Sequence, residues 1–111
     1  MAKLECTVTG DFDATLAKIT DGIENSSMTS SLEDQSDYRI GDTRCSVRVF
    51  ERYSYMGKNR VSLSITLLQV GSNPIQLSAI TSGGSQAVFF KINTLGEENF
   101  LDVLKNILST Q

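Results

Sequence analysis

Residues 44–69 read RCSVRVFERYSYMGKNRVSLSITLLQ, two runs of alternating side chains on either side of MGKN. Successive side chains of an extended chain point to opposite faces, so each run splits into two sets. In the second, Arg60–Gln69, Val61, Leu63, Ile65 and Leu67 share a face, and serines with Thr66 hold the other. In the first, Arg44–Tyr55, one set is Cys45, Val47, Val49, Glu51, Tyr53 and Tyr55; the other is Arg44, Ser46, Arg48, Phe50, Arg52 and Ser54. Which set joins Leu63 decides which side of the sheet is core. A two-residue turn at Gly57-Lys58 pairs Arg52 with Leu63 and Arg48 with Leu67, mixing charge into the apolar face. A three-residue turn, Gly57-Lys58-Asn59, pairs Tyr55 with Val61, Tyr53 with Leu63 and Val49 with Leu67, with Asn at the left-handed position. A one-residue slip flips every side chain, so the pattern predicts the second register, with the tyrosines and Glu51 inward.

Outward from this hairpin the chain reads as follows. Lys3–Thr9 alternates as a half-buried strand. Asp11 is placed to cap a helix with Phe12, Leu16, Ile19 and Ile23 on one stripe. Met28–Asp34 is a weaker strand, with a turn or bulge at Gln35-Ser36-Asp37 and a continuation through Tyr38–Ile40. Gly41-Asp42 is a hairpin signal. Gly71-Ser72-Asn73-Pro74 is a turn, and Ile75–Ser82 and Ala87–Ile92 read as strands around Ser82-Gly83-Gly84-Ser85. Thr94-Leu95-Gly96-Glu97 has capping-box spacing before a helix carrying Phe100, Leu101, Leu104, Ile107 and Leu108. The order β-α-β-β-β-β-β-α is α+β: an antiparallel sheet packed by an N-terminal and a C-terminal helix. A small helix-grip (Bet v1-like) domain has the same order, an analogy of topology that says little about function.

The chain has 111 residues, one domain, 1-111, with 40% hydrophobic and 21% charged residues. The start MAKLECTVTG lacks an apolar leader, and no segment reaches the ~18 apolar residues of a membrane span. Two cysteines, Cys6 and Cys45, read as reduced thiols of a cytoplasmic protein. Histidine is absent, which removes histidine bases, Ser-His-Asp and Cys-His nucleophiles and His-ligated zinc; two cysteines cannot make a four-thiolate site. No metal or cofactor is expected. Residues 1–42 hold nine acids and three bases, a net of −6; residues 43–111 hold four acids and seven bases, a net of +3. The acidic total of −3 argues against general nucleic-acid binding.

Four features are candidates for function. Glu51, read as inward between Val49 and Tyr53, is either a functional carboxylate with a partner or a raised pKa, or a residue turned outward by a bulge or bonded structurally to a tyrosine hydroxyl or a helix terminus. Tyr53 and Tyr55 either wall a pocket beside it or fill the thin end of the core. Arg44, Arg48 and Arg52 point the same way, about 13 Å apart from one to the next. They form either a patch for an anion or an acidic partner, or a solvated face paired with the acids of residues 33–42. Ser82, Gly83, Gly84 and Ser85 resemble a phosphate loop in composition. Yet G-x-G-x-x-G and the P-loop lysine are missing, a strand is expected to follow, and the next helix opens on Glu97 and Glu98. A strand-to-strand turn, close enough for a ligand or another chain to approach, is the better reading.

The segments ERYSY (51–55), NRVSLSITL (59–67) and SAITSGGSQAVFFKINTLGEENFLD (78–102) resemble a small bacterial family known only as a domain of unknown function. The resemblance covers nearly the whole chain. It implies a cytoplasmic bacterial protein and carries no chemistry with it.

Three functions compete. The first is a non-catalytic module binding a small molecule or a protein on the sheet face under the C-terminal helix, anchored by Glu51, Tyr53 and Tyr55, with the glycine loop at its mouth. The second is an enzyme with Glu51 as general acid or base, for which no histidine or second carboxylate on that face is available. The third is a homo-oligomer pairing through the outer strand face, with Phe50, Leu68 and Ile80, or through a sheet edge.

Overall fold

Seven elements follow one another in the computed structural model, which describes residues 1–54, 59–83 and 90–109: β1 (Ala2–Val8), α1 (Phe12–Glu24), β2 (Ser30–Ile40), β3 (Thr43–Ser54), β4 (Asn59–Val70), β5 (Ile75–Gly83) and α2 (Phe90–Ser109). The strands form one antiparallel sheet in the order β1-β5-β4-β3-β2. Both helices lie on one face. α1 covers β2 and β3, α2 covers β5, β4 and β1, and the two helices touch. The protein is α+β, with both helices packed on an antiparallel sheet.

Local chemistry accounts for most boundaries. Asp11 caps α1, its Oδ2 accepting a hydrogen bond from the Ala14 amide at 2.8 Å. Gly41, at φ +60°, and Asp42 make the two-residue turn between Ile40 and Thr43, a conformation that favours glycine. Gly22 lies where α1 crosses α2; a Cβ there would meet the Ile107 side chain at 2.6 Å. β2 is continuous through residues 35–37; its irregularity falls instead at Glu33, where the pairing steps from Leu32 to Asp34.

The last expected strand, Ala87–Ile92, does not hold over 90–92, which open α2; the rest of it lies outside the described residues. Apolar, β-branched and aromatic composition is a weak guide when the segment packs as a helix. Thr94 and Glu97 therefore sit inside a helix and not at its cap. Glu97 is buried, and its Oε1 takes the Met1 ammonium at 2.9 Å.

The central hairpin holds the main correction. β3 and β4 pair Arg52 with Val61, Phe50 with Leu63, Arg48 with Ile65 and Ser46 with Leu67, and the last described pair is Ser54 with Asn59. The side of β3 that faces the helices is thus the arginine side. Cys45, Val47, Val49, Glu51 and Tyr53 face away. The arginines tolerate this because their stems add hydrocarbon to the core side and their heads find partners there. The Arg44 guanidinium stacks 4.2 Å from the Phe12 ring centre, and that of Arg52 stacks 4.6 Å from Phe100. Between them Phe50, wholly buried, is the one large apolar side chain of its stripe, and it sets the parity of the strand. It joins Ile19, Ile23, Leu63, Ile65, Leu67, Ile75, Ala79, Phe100 and Leu104 in a core that fills the space between sheet and helices.

Candidate functional site: the uncovered sheet face

Alternate residues of the central strands point away from the helices. β3 contributes Thr43, Cys45, Val47, Val49, Glu51 and Tyr53; β4 contributes Arg60, Ser62, Ser64, Thr66, Leu68 and Val70; β5 contributes Gln76, Ser78, Ile80 and Ser82. Among these, Glu51 and Arg60 carry the charge, and they neutralise each other through a 2.5 Å contact that holds the Arg60 pKa up. The rest are small hydroxyls and apolar groups. The two edge strands add a charged rim, with Lys3 and Glu5 on β1 and Asp34 on β2.

Large apolar side chains concentrate here. Tyr38 (61% exposed), Ile40 (78%), Leu68, Val70, Ile80 and Tyr53 all belong to this face; among the described residues the other exposed large apolar groups are Met1 and Met28. Four of the six gather at one end, with Tyr38, Cys45 and Leu68 in one cross-strand row and Ile40, Thr43 and Val70 in the next. An open groove of about 630 Å³ runs over the β1–β5–β4 side, lined by Glu5, Thr7, Thr66, Leu68, Gln76 and Ser78 among others. A second cavity, about 450 Å³, lies beside the β1 edge against Thr15, Lys18 and Ile19 of α1 and Leu108 of α2.

The candidate residues divide. Glu51 lies on the uncovered face, between Ser31 and Ser62 of the neighbouring strands, and neither cavity touches it. The inward position that suggested a raised carboxylate is not the one it has, because Phe50 takes the core side. Tyr53 shares the uncovered face, opposite Arg60. Ser82 shares it too, its Oγ 2.7 Å from the Ser62 Oγ, so Glu51 and Ser82 lie in one cross-strand row with Ser62 between them. Gly83 ends β5 opposite Val61. Tyr55, Gly84 and Ser85 lie outside the described residues. α2 includes Phe90–Ile92 and has no acid in its first turn, so the helix expected to open on Glu97 and Glu98 begins earlier; residues 84–89 lie outside the described residues.

Arg44, Arg48 and Arg52 are on the helix side and belong to the fold's own electrostatics. Arg44 meets the Asp13 carboxylate at 2.6 Å, and that hydrogen bond holds Asp13 below the usual carboxylate range while raising Arg44. Arg48, 8% exposed, meets Asp37 at 3.0 Å and donates to the Val47 and Ser36 carbonyls. Asp37 also accepts from Ser46 Oγ at 2.6 Å; this bond first, then Arg48, lowers its pKa. Burial lowers the Arg52 pKa. Pairing with acids of the first half was one of the two readings of this stripe, and two of its three members do pair: Arg48 with Asp37 of the expected 33–42 segment, Arg44 with Asp13 outside it.

The chain is therefore an α+β protein whose sheet is covered on one side and open on the other. It belongs to the family of unknown function DUF6054, whose model matches residues 1–111. No curated protein and no solved structure matches it. Among the described residues no three histidine, cysteine or acidic side chains converge as metal ligands, and no helix is long and apolar enough to cross a membrane.

Proposed function

We propose that this protein is a non-catalytic binding module that works through the uncovered face of its sheet. One observation carries the reading: the exposed large apolar side chains collect on that face, while its three central strands hold no unpaired charge among the described residues. A patch of this kind marks an interaction surface more often than a solvated one. Solvated sheet faces normally alternate with lysine and glutamate; here Ser62, Ser64 and Thr66 occupy those places. The surface is broad and open, which suits a macromolecular partner better than an enclosed small molecule. Among the described residues it has no basic surplus for a phosphate chain.

A photo-crosslinking residue placed at Ser64, the centre of the face, tests this against the same residue at Asp21 on the exposed side of α1. Adducts of protein mass are expected in cell extract from position 64 and not from 21. Equal labelling, or none at 64, removes the reading.

A further inference from the structure

We propose that the partner is a second copy of this chain, stacked face to face about a two-fold axis parallel to the strands and passing over β4. The inference rests on the reading of the uncovered face as a binding surface. Its ground is the chemistry of one continuous cross-strand row: Lys3 on β1, Ile80 on β5, Ser64 on β4, Val49 on β3 and Asp34 on β2. Read across the sheet the row runs cation, apolar, hydroxyl, apolar, anion. A two-fold axis along β4 lays β1 over the partner's β2 and β5 over the partner's β3. Lys3 then meets Asp34, Ile80 meets Val49, and Ser64 meets its own copy. The row is complementary to itself under that rotation, as an isologous contact requires.

The neighbouring rows obey the same operation. Glu5, Ser78, Thr66, Val47 and Ser36 place a carboxylate over a hydroxyl and Ser78 over Val47. Thr7, Gln76, Leu68, Cys45 and Tyr38 place Leu68 on Leu68 and the tyrosine over Thr7. Beyond Ser64, Glu51 comes over Ser82. At that end of the face Arg60 approaches its own copy, each already neutralised by its own Glu51. An axis across the strands is worse, because it sets the apolar end of one face (Tyr38, Ile40, Leu68, Val70) over the Glu51–Arg60 end of the other. Hydroxyls in the middle of such an interface are self-satisfying, since each donates and accepts.

The size is adequate. Five strands about 4.8 Å apart and roughly nine residues long at about 3.3 Å each give a face of ~700 Å². A standard interface buries ~800 Å² on each partner. Unpaired charge at the rim, with apolar and small hydroxyl groups and the mutually neutralised Glu51–Arg60 pair inside it, fits the anatomy of such a contact.

Sedimentation of the full chain from about 1 to 500 µM tests the proposal. The expected result is a dimer for the native chain and a monomer for Ser64→Arg, with unchanged far-UV circular dichroism. Lys3→Glu or Asp34→Lys alone should weaken the dimer about tenfold, and the two together should restore it. A native chain that is monomeric throughout overturns the second-copy proposal. The crosslink from position 64 then reports separately on the surface itself: an adduct of any mass other than two chains keeps the binding reading, and no adduct ends both. A dimer that survives Ser64→Arg places the contact elsewhere and overturns the proposal. Loss of the dimer in both single reversals without rescue in the pair overturns the two-fold arrangement.

Discussion

Phe50→Ala tests the parity of the central hairpin, on which the whole assignment of faces depends. Phe50 is wholly buried, with Leu32 and Leu63 as its cross-strand neighbours, beneath helices that seat Ile23 and Phe100 in the same core. An aromatic side chain buries at least ~150 Å², worth about 4 kcal/mol at ~25 cal/mol per Å². Alanine keeps a small part of that, and the cavity left behind adds to the loss, so ~3–4 kcal/mol is expected. The neighbouring Val49 faces away from the helices and is half-buried; Val49→Ala should cost less than ~1 kcal/mol. Urea unfolding followed by circular dichroism, at protein concentrations low enough to keep association out of the result, reads both. With a slope of about 1.5 kcal/mol per molar urea, Phe50→Ala moves the midpoint by ~2 M or more. If that variant does not fold, Phe50→Leu, expected to lose less, supplies the comparison. A Phe50→Ala chain within ~1 kcal/mol of the native one, or a Val49→Ala loss larger than the Phe50→Ala loss, would refute the arrangement of faces.

Three other outcomes follow from the geometry. Asp13 and Asp37 have folded pKa values below their unfolded ones, so each adds stability above about pH 4 that is lost as the pH falls through the folded value. Asp37→Asn should flatten the acid limb of a plot of urea midpoint against pH, and an unchanged limb would remove the Ser46–Asp37–Arg48 cluster from the account. Glu51→Gln removes a partly exposed ion pair and should cost less than ~1 kcal/mol by thermal melting; a loss of several kcal/mol would mean a role that its position on the open face does not explain. Gly22→Ala gains ~1 kcal/mol of helix propensity but drives a methyl into Ile107, a strain of ~1–3 kcal/mol, so a net loss of about 1 kcal/mol is expected. The double variant with Ile107→Ala should recover part of that loss relative to Ile107→Ala alone, and equal losses in both backgrounds count against the close helix crossing.

Most of the fold was legible in the sequence because most elements obey one rule each. The Asp11 cap, the Phe12–Ile19–Ile23 stripe and the Gly41-Asp42 turn are local signals, and local geometry kept them. The parity of β3 was not legible by the same means. Both of its faces are mixed, and arginine reads as a solvent-seeking charge although here its guanidinium stacks on core rings, Arg44 on Phe12 and Arg52 on Phe100. The better signal was volume: Phe50 is the largest apolar residue inside the run, and a neighbour of Leu63 must be as large to close the gap beneath the helices. That error placed Glu51 inward and hid the real candidate surface. Yet the serine alternation of β4, Ser62-Ser64-Thr66, stood in plain view; hydroxyls where a solvated strand carries lysine and glutamate were its mark. The end of the glycine segment failed for another reason. Residues 90–92 have strand composition, and only their place at the head of a packed helix decides their state.

The pairing of β1 with β5 has a consequence in time. Ala2 and Thr81, 79 positions apart, are bonded to each other, and Val8 lies beside Ile75. At roughly 5–20 residues per second, the first strand leaves the site of synthesis about 4–15 s before the strand that will hold it. During that interval Leu4, Cys6 and Val8 have no sheet to join, and the β3–β4 hairpin, made of contacts close in sequence, is free to form first. The edge is added last, so a chain cut short of residue 75 contains three strands of a meander and an orphaned apolar ribbon. Contacts of this span slow folding. An early β1, waiting with one apolar side exposed, is the segment most open to capture by a chaperone or by another unfinished chain.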